Sequence, residues 1–361
     1  MKQKVIISTD LEKHLSDAVS AVSPDRLFIL CDTTTVRLCL PKVEAFGCLS
    51  GAKVITIPEG DGNKSLDTVA HVWRELQDGG ASRHSMMVNL GGGMVTDLGG
   101  FVASTFKRGI HFINIPTTLL SLVDASVGGK TGFNFGGLKN EIGVFNTADV
   151  VVLDTSFLDT LSGDEMRSGY AEMLKHGLIN SDTSMLRELL SYDIAAPDLT
   201  ALQLMVADSV AVKERVVTID PYEHGIRKAL NLGHTAGHAF ESFAMAKGQR
   251  SDGTRNPGIA PVPHGYAVAY GIICELYLAC TKTGFPTDIM RQTVSYIREH
   301  YGTMAVTCDD YPTLYELMSH DKKNTAGVIN FTLLSDTGKV EINQTATREE
   351  IYEALDFFRE G

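Results

Sequence analysis

The feature that most constrains the fold is a series of short apolar segments within the first 155 residues. Each is rich in Val, Ile and Leu and is typical of a buried strand; they are residues 4–8, 26–32, 53–59, 85–93, 110–117 and 150–154. Helical periodicity lies between them, over 65–78 and 94–107. Strands that alternate with helices predict a mainly parallel sheet with helices on both faces. We therefore expect an α/β domain over residues 1–155.

The second part of the chain, 156–361, has a different pattern. Long amphipathic segments predict helices there; they are 164–191, 198–218, 228–247, 265–283, 287–301 and 312–320. Only 329–335 resembles a strand, and the Gly- and Pro-rich segment 248–263 is typical of a loop. Because 361 residues exceed the roughly 250–300 at which single cores stop growing, we expect a separate, mainly α-helical C-terminal domain.

Composition excludes several classes of function. The net charge of −12 argues against nucleic acid and against anionic membrane surfaces as partners, although local cations can still bind a small anion. No apolar run approaches the ~20 residues of a membrane span, and the first residues lack the apolar core of a signal peptide. We expect a cytoplasmic protein. Its six cysteines form no CxxC pair, which favours reduced thiols over disulfides or a cysteine zinc site.

A glycine-rich run, 87–101, follows the fourth predicted strand and opens a helix. Glycines there let a ligand approach the backbone, and the free N–H groups of a helix start attract a pyrophosphate. Thr96 stands where the third glycine of GxGxxG belongs. The run favours a Rossmann-like nucleotide site over a simple tight turn. Asp97 is predicted either to hold a ribose hydroxyl or to cap the turn.

Several cations and an amide lie in neighbouring Gly-rich segments that we interpret as loops. They are Lys107, Arg108, Lys130, Lys139 and Asn140. The segment around Lys130 is not a P-loop, because the first glycine of that motif would fall at Asp124. Each cation alone is typical of a solvated surface, but their grouping in one α/β unit favours phosphate or carboxylate binding.

The segment 227–238 resembles a helix whose polar residues share one face. Spacings of 4, 3 and 4 place Arg227, Asn231, His234 and His238 together. His234 and His238 have the HxxxH spacing of two zinc ligands, with a third ligand from Glu172 or His264. Close helix packing through the two glycines of this segment is the alternative. Glu172 and Lys175 could equally form an ordinary i,i+3 ion pair.

Seven motifs, in the same order over nearly the whole chain, resemble the 3-dehydroquinate synthase family. They are GGGMVTDLGGF, RGIHFINIPTTLLSLVDASVGGKTG, GLKN, GYAEMLKHG, NLGHTAGHA, PHGYAV and HDKKN. The resemblance implies a nucleotide-binding α/β domain and a helical domain with the active site between them. It also implies a homodimer that uses NAD and zinc, with cobalt as the alternative metal.

The reaction that the resemblance implies belongs to the shikimate pathway, which supplies aromatic amino acids. A small anionic sugar-acid phosphate, 3-deoxy-D-arabino-heptulosonate 7-phosphate (DAHP), becomes 3-dehydroquinate with loss of phosphate. NAD transiently oxidises a secondary alcohol, the acidified neighbouring C–H allows β-elimination of phosphate, and the hydride is returned. The ring then opens and an intramolecular aldol reaction closes the carbocycle.

The resemblance also assigns site residues. Zinc would be held by Glu172, His234 and His264, with His238 facing the substrate instead. NAD would contact Asp32, Glu59, Asp61, Lys64, Gly92, Gly93, Asp97, Thr117, Thr118, Lys130, Lys139, Phe157 and Thr160. The substrate would be anchored by Lys130, Asn140, Lys175, Lys213, Arg227, Asn231, His238, Lys322 and Lys323. Arg108 would reach the partner subunit's site, and Glu223 would be a further active-site carboxylate.

Three alternatives remain at the level of sequence. The first is another sugar phosphate cyclase that makes an inosose or a valiolone. Four residues favour the dehydroquinate reaction instead, namely Lys213, Arg227, Asn231 and His238. The second is a metal-dependent NAD alcohol dehydrogenase, which would not need so many anion-binding lysines. The third is a non-catalytic nucleotide- or metal-binding protein.

Overall fold

The computed structural model describes residues 3–136, 138–248, 261–320 and 328–360. The chain divides into two compact units. Unit 1 comprises Met1–Ser162 and Asp198–Val210, and unit 2 comprises Gly163–Pro197 and Ala211–Gly361. The predicted boundary at residue 155 assigns Asp198–Val210 to the second domain, whereas in the structure this segment belongs to unit 1.

Unit 1 is built from alternating strands and helices. In chain order they are β1 Lys4–Ile7, α1 Leu11–Val22, β2 Leu27–Asp32, α2 Thr35–Leu38, β3 Lys53–Ile57, α3 Leu66–Asp78, β4 Met86–Gly91, α4 Gly93–Thr105, β5 His111–Pro116, β6 Lys130–Phe135, β7 Leu138–Phe145 and β8 Val150–Leu153. The six predicted strands are all present, with ends within two residues of the prediction. Runs of buried Val, Ile and Leu fix them, because such residues fit strands covered on both faces.

One sheet organises unit 1. Its six strands are all parallel, in the order β1-β8-β5-β4-β2-β3. The core includes Ile29, Val88, Leu90, Ile113 and Val152, each at most 3% exposed. From β2 the chain turns outward to β3 and then crosses back to β4, so the strand order reverses between β2 and β4. Ligands of such sheets bind outside the carboxyl ends of the strands at this reversal.

The sequence analysis missed a β-hairpin, β6–β7. The segments around Lys130 and Lys139, interpreted as loops, are its two antiparallel strands. Gly132 and Gly143 pair across it, and a Cβ on Gly132 would lie 2.4 Å from the carbonyl oxygen of Ile142. The glycines therefore permit close strand pairing rather than marking loops. Every residue of β7 is exposed.

Unit 2 is mainly helical, as predicted. After α5 Gly163–Ile179 and α6 Thr183–Ser191, helix α7 Leu199–Ile219 enters it at Ala211. The remaining elements are α8 His234–Gly248, α9 His264–Lys282, α10 Thr287–Tyr301, α11 Tyr311–Ser319, β9 Asn330–Asp336, β10 Lys339–Thr345 and α12 Arg348–Glu360. The sequence analysis missed β10, which pairs antiparallel with β9, and α12. It also read α5 and α6 as one segment, whereas Asp182 caps a new helix by accepting from the N–H of Ser184.

Helix α9 lies at the centre of unit 2. It packs against α5, α8, α10 and α12, and its residues from Gly265 to Ala279 are almost all buried. None of the described helices has both the length and the apolar composition needed to cross a lipid bilayer. All six cysteines are free thiols, as the sequence predicted, and burial raises the pKa of Cys31 to about 12.

Candidate metal, substrate and nucleotide sites

Three helices of unit 2 bring a carboxylate and two imidazoles together. Glu172 lies within α5, while His234 and His264 are the first residues of α8 and α9. One ligand atom from each lies within 4.8 Å of the others. The Nε2 atoms of His234 and His264 lie 3.5 and 3.7 Å from Oε1 of Glu172. This is the set of three ligands that the resemblance implies.

The second nitrogen of each imidazole has its own acceptor. Nδ1 of His234 lies 3.1 Å from the carbonyl oxygen of Leu232, and Nδ1 of His264 lies 3.5 Å from Oε2 of Glu241. Each of these oxygens can accept a hydrogen bond from Nδ1–H, and in that tautomer a neutral ring directs an unprotonated Nε2 towards Glu172. Metal-binding histidines are usually oriented in this way.

The carboxylate of Glu172 is fully buried, and its Oε2 pairs with the ammonium of Lys175. Burial raises its pKa, but Lys175, His234 and His264 outweigh burial and hold the pKa well below its usual range. Burial lowers the pKa of His264, whereas Glu172 and Glu241 raise it to about 9. An ionised carboxylate oxygen beside two imidazole nitrogens is the donor set of a catalytic zinc site. The residues present therefore fit a divalent ion.

The HxxxH hypothesis, in which both imidazoles of 234–238 bind the metal, is not what the geometry favours. His238 lies one turn further along α8, with its ring centre 5.4 Å from that of His234 and 6.2 Å from that of His264. It borders the three-residue group without belonging to it. This placement agrees with the role beside the metal that the resemblance implies.

The prediction of one helix over 227–238 is wrong. A 3₁₀ turn covers Ile226–Asn231, and α8 begins only at His234. Gly233 between them has φ +79°, and a Cβ there would lie 2.9 Å from the carbonyl oxygen of Val268. Close packing on α9 thus breaks the helix at a glycine. Arg227 and Asn231 do not share a helix face with the two histidines.

The polar residues before α8 belong to one well-bonded turn. The carboxylate of Asp220 accepts from the N–H groups of His224, Gly225 and Arg227, at 3.0, 2.7 and 3.1 Å. The buried guanidinium of Arg227 donates to the carbonyl of Pro221 at 2.5 Å.

Beside this turn, the amide of Asn231 donates to Glu223 at 2.8 Å. Lys175 and Lys213 are two further buried cations of unit 2. The unit thus supplies several fixed positive groups for an anion. Lys322 and Lys323 lie outside the described residues.

In unit 1, two acidic residues mark the carboxyl ends of neighbouring strands. Asp32 ends β2 and accepts from the N–H groups of Thr34 and Thr35 at 2.9 and 2.7 Å. Glu59 follows β3 and accepts from the hydroxyls of Thr33 and Thr34, which lower its pKa. Carboxylates in this position hold ribose hydroxyls in dinucleotide-binding folds.

The glycine turn after β4 lies at the reversal of strand order. Helix α4 begins at Gly93, and a Cβ on Gly92 would lie 3.0 Å from Cγ2 of Thr118. Thr117, the residue after β5, is buried beside this turn and donates its N–H to the carbonyl of Gly91. The open helix start can receive a pyrophosphate.

Lys64 joins three segments of unit 1. Its buried ammonium lies 2.5 Å from Oδ2 of Asp97 on α4 and 2.5 Å from Oδ1 of Asn140 on β7. Asp97, predicted to hold a ribose or to cap a turn, therefore pairs with a lysine. The Nζ atom of Lys139 on β7 lies 3.6 Å from Oδ2 of Asp61, which belongs to the same loop as Lys64. The sequence did not foresee these pairings, because they join residues more than 30 positions apart.

The remaining candidate site residues of unit 1 lie on three different elements. Lys130 begins β6 and lines a small cavity with Thr96, Asp97 and Ser126. Phe157 and Thr160 belong to the 3₁₀ turn Thr155–Thr160, where Phe157 is buried. Arg108 ends the turn after α4 with φ +67°.

Two carboxylates of unit 2 were missed by the sequence analysis. Glu241 contacts Nδ1 of His264, and Glu275 is fully buried against the start of α8. A lone glutamate within the apolar run of α9 was the available signal for Glu275, because unpaired carboxylates are rarely buried.

Comparison with known proteins identifies the family. Family models for the N-terminal and C-terminal parts of 3-dehydroquinate synthase match residues 54–168 and 169–324. The chain belongs to the 3-dehydroquinate synthase family. A curated 3-dehydroquinate synthase from Parabacteroides distasonis is 52% identical over 360 residues, which cover 100% of this chain and 99% of that protein. The resemblance found in the sequence is therefore confirmed.

Solved structures of more distant proteins share the fold. A 2-epi-5-epi-valiolone synthase from Streptomyces hygroscopicus, with NAD⁺ and Zn²⁺ bound, has a TM-score of 0.81 and 23% identity and covers 100% of this chain and 97% of its own. A 2-deoxy-scyllo-inosose synthase complexed with carbaglucose-6-phosphate, NAD⁺ and Co²⁺ has a TM-score of 0.80 and 22% identity, with 98% and 95% covered. The predicted fold class, an α/β unit followed by a mainly helical region, is confirmed.

Proposed function

We propose that this chain is a phosphate-eliminating carbon–oxygen lyase that converts DAHP into 3-dehydroquinate and phosphate. The observation that carries the proposal is the convergence of Glu172, His234 and His264 within a chain 52% identical to a 3-dehydroquinate synthase. The buried cations of unit 2 support it, because the substrate carries both a carboxylate and a phosphate.

The cofactors of the proposal are NAD and Zn²⁺, with Co²⁺ as the alternative metal. Glu172, His234 and His264 would hold the metal. Unit 1 would hold NAD through the start of α4 and the carboxylates of Asp32 and Glu59. When bound, the metal supplies a Lewis acid and NAD supplies a reversible two-electron oxidant. The two structural relatives solved with NAD⁺ and Zn²⁺ or Co²⁺ support this pairing.

Further polar residues of unit 2 would bind and orient the substrate. Arg227 presents a planar guanidinium that can bind a carboxylate through two parallel hydrogen bonds. Lys175 and Lys213 add point charges whose burial strengthens their attraction for an anion. His238, beside the metal group, would exchange a proton with the substrate at a ring nitrogen. Asn231 and Glu223, already bonded to one another, would hold a sugar hydroxyl.

The proposal includes a homodimer. The hairpin β6–β7 exposes five apolar side chains, Phe135, Leu138, Ile142, Val144 and Phe145, by 36–56%. Exposed apolar side chains concentrated on one hairpin favour an interface there. Light scattering should report twice the chain mass. Replacing Leu138 and Phe145 with serine should shift the protein towards monomer, and an unchanged dimer would remove this hairpin from the interface.

One assay distinguishes the proposed reaction from its alternatives. Purified protein is incubated with DAHP, Zn²⁺ and NAD at less than the substrate concentration, and phosphate, dehydroquinate and NADH are followed together. Phosphate and dehydroquinate in equal amounts, without accumulation of NADH, are expected. Net NADH would indicate an alcohol dehydrogenase. Turnover of sedoheptulose 7-phosphate but not of DAHP would indicate a valiolone synthase.

A further inference from the structure

Helix α8 begins at His234 without a capping side chain of its own. The preceding residue is Gly233, whereas helix starts usually use Ser, Thr, Asp or Asn to satisfy their first N–H groups. No such residue fits, because a Cβ at Gly233 would lie 2.6 Å from Cγ1 of Ile272. The N–H groups of the first turn must therefore find an acceptor elsewhere.

Glu275 of α9 supplies that acceptor. Its Oε2 accepts from the N–H of Gly233 at 2.6 Å, and its Oε1 accepts from the N–H groups of Thr235 and Ala236 at 3.0 and 3.3 Å. The side chain is 0% exposed. The partial positive charge of a helix N-terminus stabilises such an anion. The three bonded N–H groups flank His234 on both sides.

The helix that carries Glu275 also carries His264. Helix α9 begins at His264, and three turns later it holds the first turn of α8 through Glu275. Between these points a Cβ on Gly271 would lie 1.9 Å from the carbonyl oxygen of Gly233, so the two backbones are in direct contact. Both imidazoles of the metal group are thus fixed to one helix, His264 directly and His234 through Glu275.

We propose that Glu275 is a positioning residue that sets His234 against His264 for metal binding. The inference rests on the proposed metal site. Glu275 holds His234 through the backbone N–H groups on either side of it. A purely structural cap would stabilise the fold without changing the affinity of the folded protein for a metal. A positioning residue would change that affinity, so a measurement of Zn²⁺ binding separates the two roles.

The experiment compares Glu275→Gln and Glu275→Asp with the unaltered chain. Glutamine keeps the shape but turns an NH₂ group towards an N–H donor, and aspartate keeps the charge one methylene further from α8. Tyr270→Phe is the matched control, because it removes another buried hydrogen bond of α9, from the Tyr270 hydroxyl to the carbonyl of Tyr301. Zn²⁺ affinity is measured on metal-free, full-length protein by competition with a chromophoric chelator. The visible spectrum of the Co²⁺-loaded protein and thermal unfolding of the metal-free protein are recorded alongside.

Glu275→Gln is expected to weaken Zn²⁺ binding by about tenfold or more and to change the Co²⁺ spectrum, with a smaller loss for Glu275→Asp. Tyr270→Phe should lower the unfolding temperature and leave both metal readouts unchanged. Unchanged affinity and spectrum in the glutamate variants would overturn the inference. If Glu275→Gln does not fold, Glu275→Asp decides by the same criterion. Failure of the unaltered chain to bind one Zn²⁺ would instead refute the proposed function.

Discussion

Lys175 and Glu172 form an ion pair in the interior of unit 2, one helical turn apart on α5, with side chains 1% and 0% exposed. On an exposed helix face an i,i+3 pair contributes only a few tenths of a kcal/mol. Burial changes that magnitude, because the loss of one partner leaves the other charge in a medium that cannot solvate it. Glu172 therefore depends on Lys175 whenever no metal is bound.

Lys175→Met should destabilise the metal-free protein by about 3–5 kcal/mol, because it removes the ammonium that pairs with the buried Glu172 carboxylate. Zn²⁺ should recover part of this loss, since the ion supplies positive charge at the same carboxylate. Urea unfolding with EDTA and with Zn²⁺ measures both effects. Lys282→Met, which breaks a partly exposed pair with Glu350, is the control and should cost less than about 1 kcal/mol.

His234→Ala should abolish zinc retention, whereas His238→Ala should keep zinc and slow turnover. The reason is that Nε2 of His234 belongs to the three-atom group and His238 only borders it. Metal content after dialysis, determined by elemental analysis, tests the difference. Equal loss of metal in both variants would revive the HxxxH pair as the ligand set.

Lys64→Met should weaken NAD binding by about tenfold. The ammonium joins the loop after β3 to α4 and β7, and a misplaced binding group commonly costs at least this much. Calorimetric titration with NAD measures the effect. Lys53→Met removes the pair between Lys53 and Glu75 of the same unit, which lies at the surface, and should bind NAD normally. A similar loss in both variants would indicate general loosening of unit 1.

Asp220→Asn should raise the KM for DAHP by about tenfold, because the turn that places Arg227 loses a charged acceptor for its N–H groups. The kcat should change less, since Asp220 itself is not proposed to touch the substrate. Steady-state kinetics separates the two parameters. Asp182→Asn, which alters the exposed cap of α6, is the comparison and should leave KM unchanged. A fall in kcat alone would argue against this role for the turn.

The sheet of unit 1 could be predicted from the sequence because its four inner strands, β8, β5, β4 and β2, are buried almost throughout. Runs such as 26–32 and 150–154 consist mainly of Val, Ile, Leu and Phe, and strand pairing satisfies their backbone groups whatever the neighbours are. The three metal-binding candidates were also predicted, but through family motifs. Spacing alone favoured His234 with His238 and left the third ligand open.

The rest depends on contacts between distant parts of the chain. The residue spacing over 227–238 is typical of a helix. The close contact with Val268 and Ile272 nevertheless requires a glycine with positive φ at 233, and this residue interrupts the helix. The hairpin β6–β7 was missed because its glycines resemble loop signals. Lys64 and Glu275 lie tens of residues from their partners, so no local pattern indicates what they bind.

At two positions of α9, Gly265 and Gly271, the packing around the metal-binding candidates leaves no room for a Cβ atom. A single methyl at Gly265 would lie 1.9 Å from the backbone of Ser168 on α5, and one at Gly271 would meet Gly233 at the same distance. Moving Ser168 would shift α5, which carries Glu172, and moving Gly233 would shift the start of α8, which carries His234. Alanine, elsewhere the mildest of substitutions, should therefore be among the most damaging at these two positions, and natural variation in α9 should accumulate on its outer turns instead.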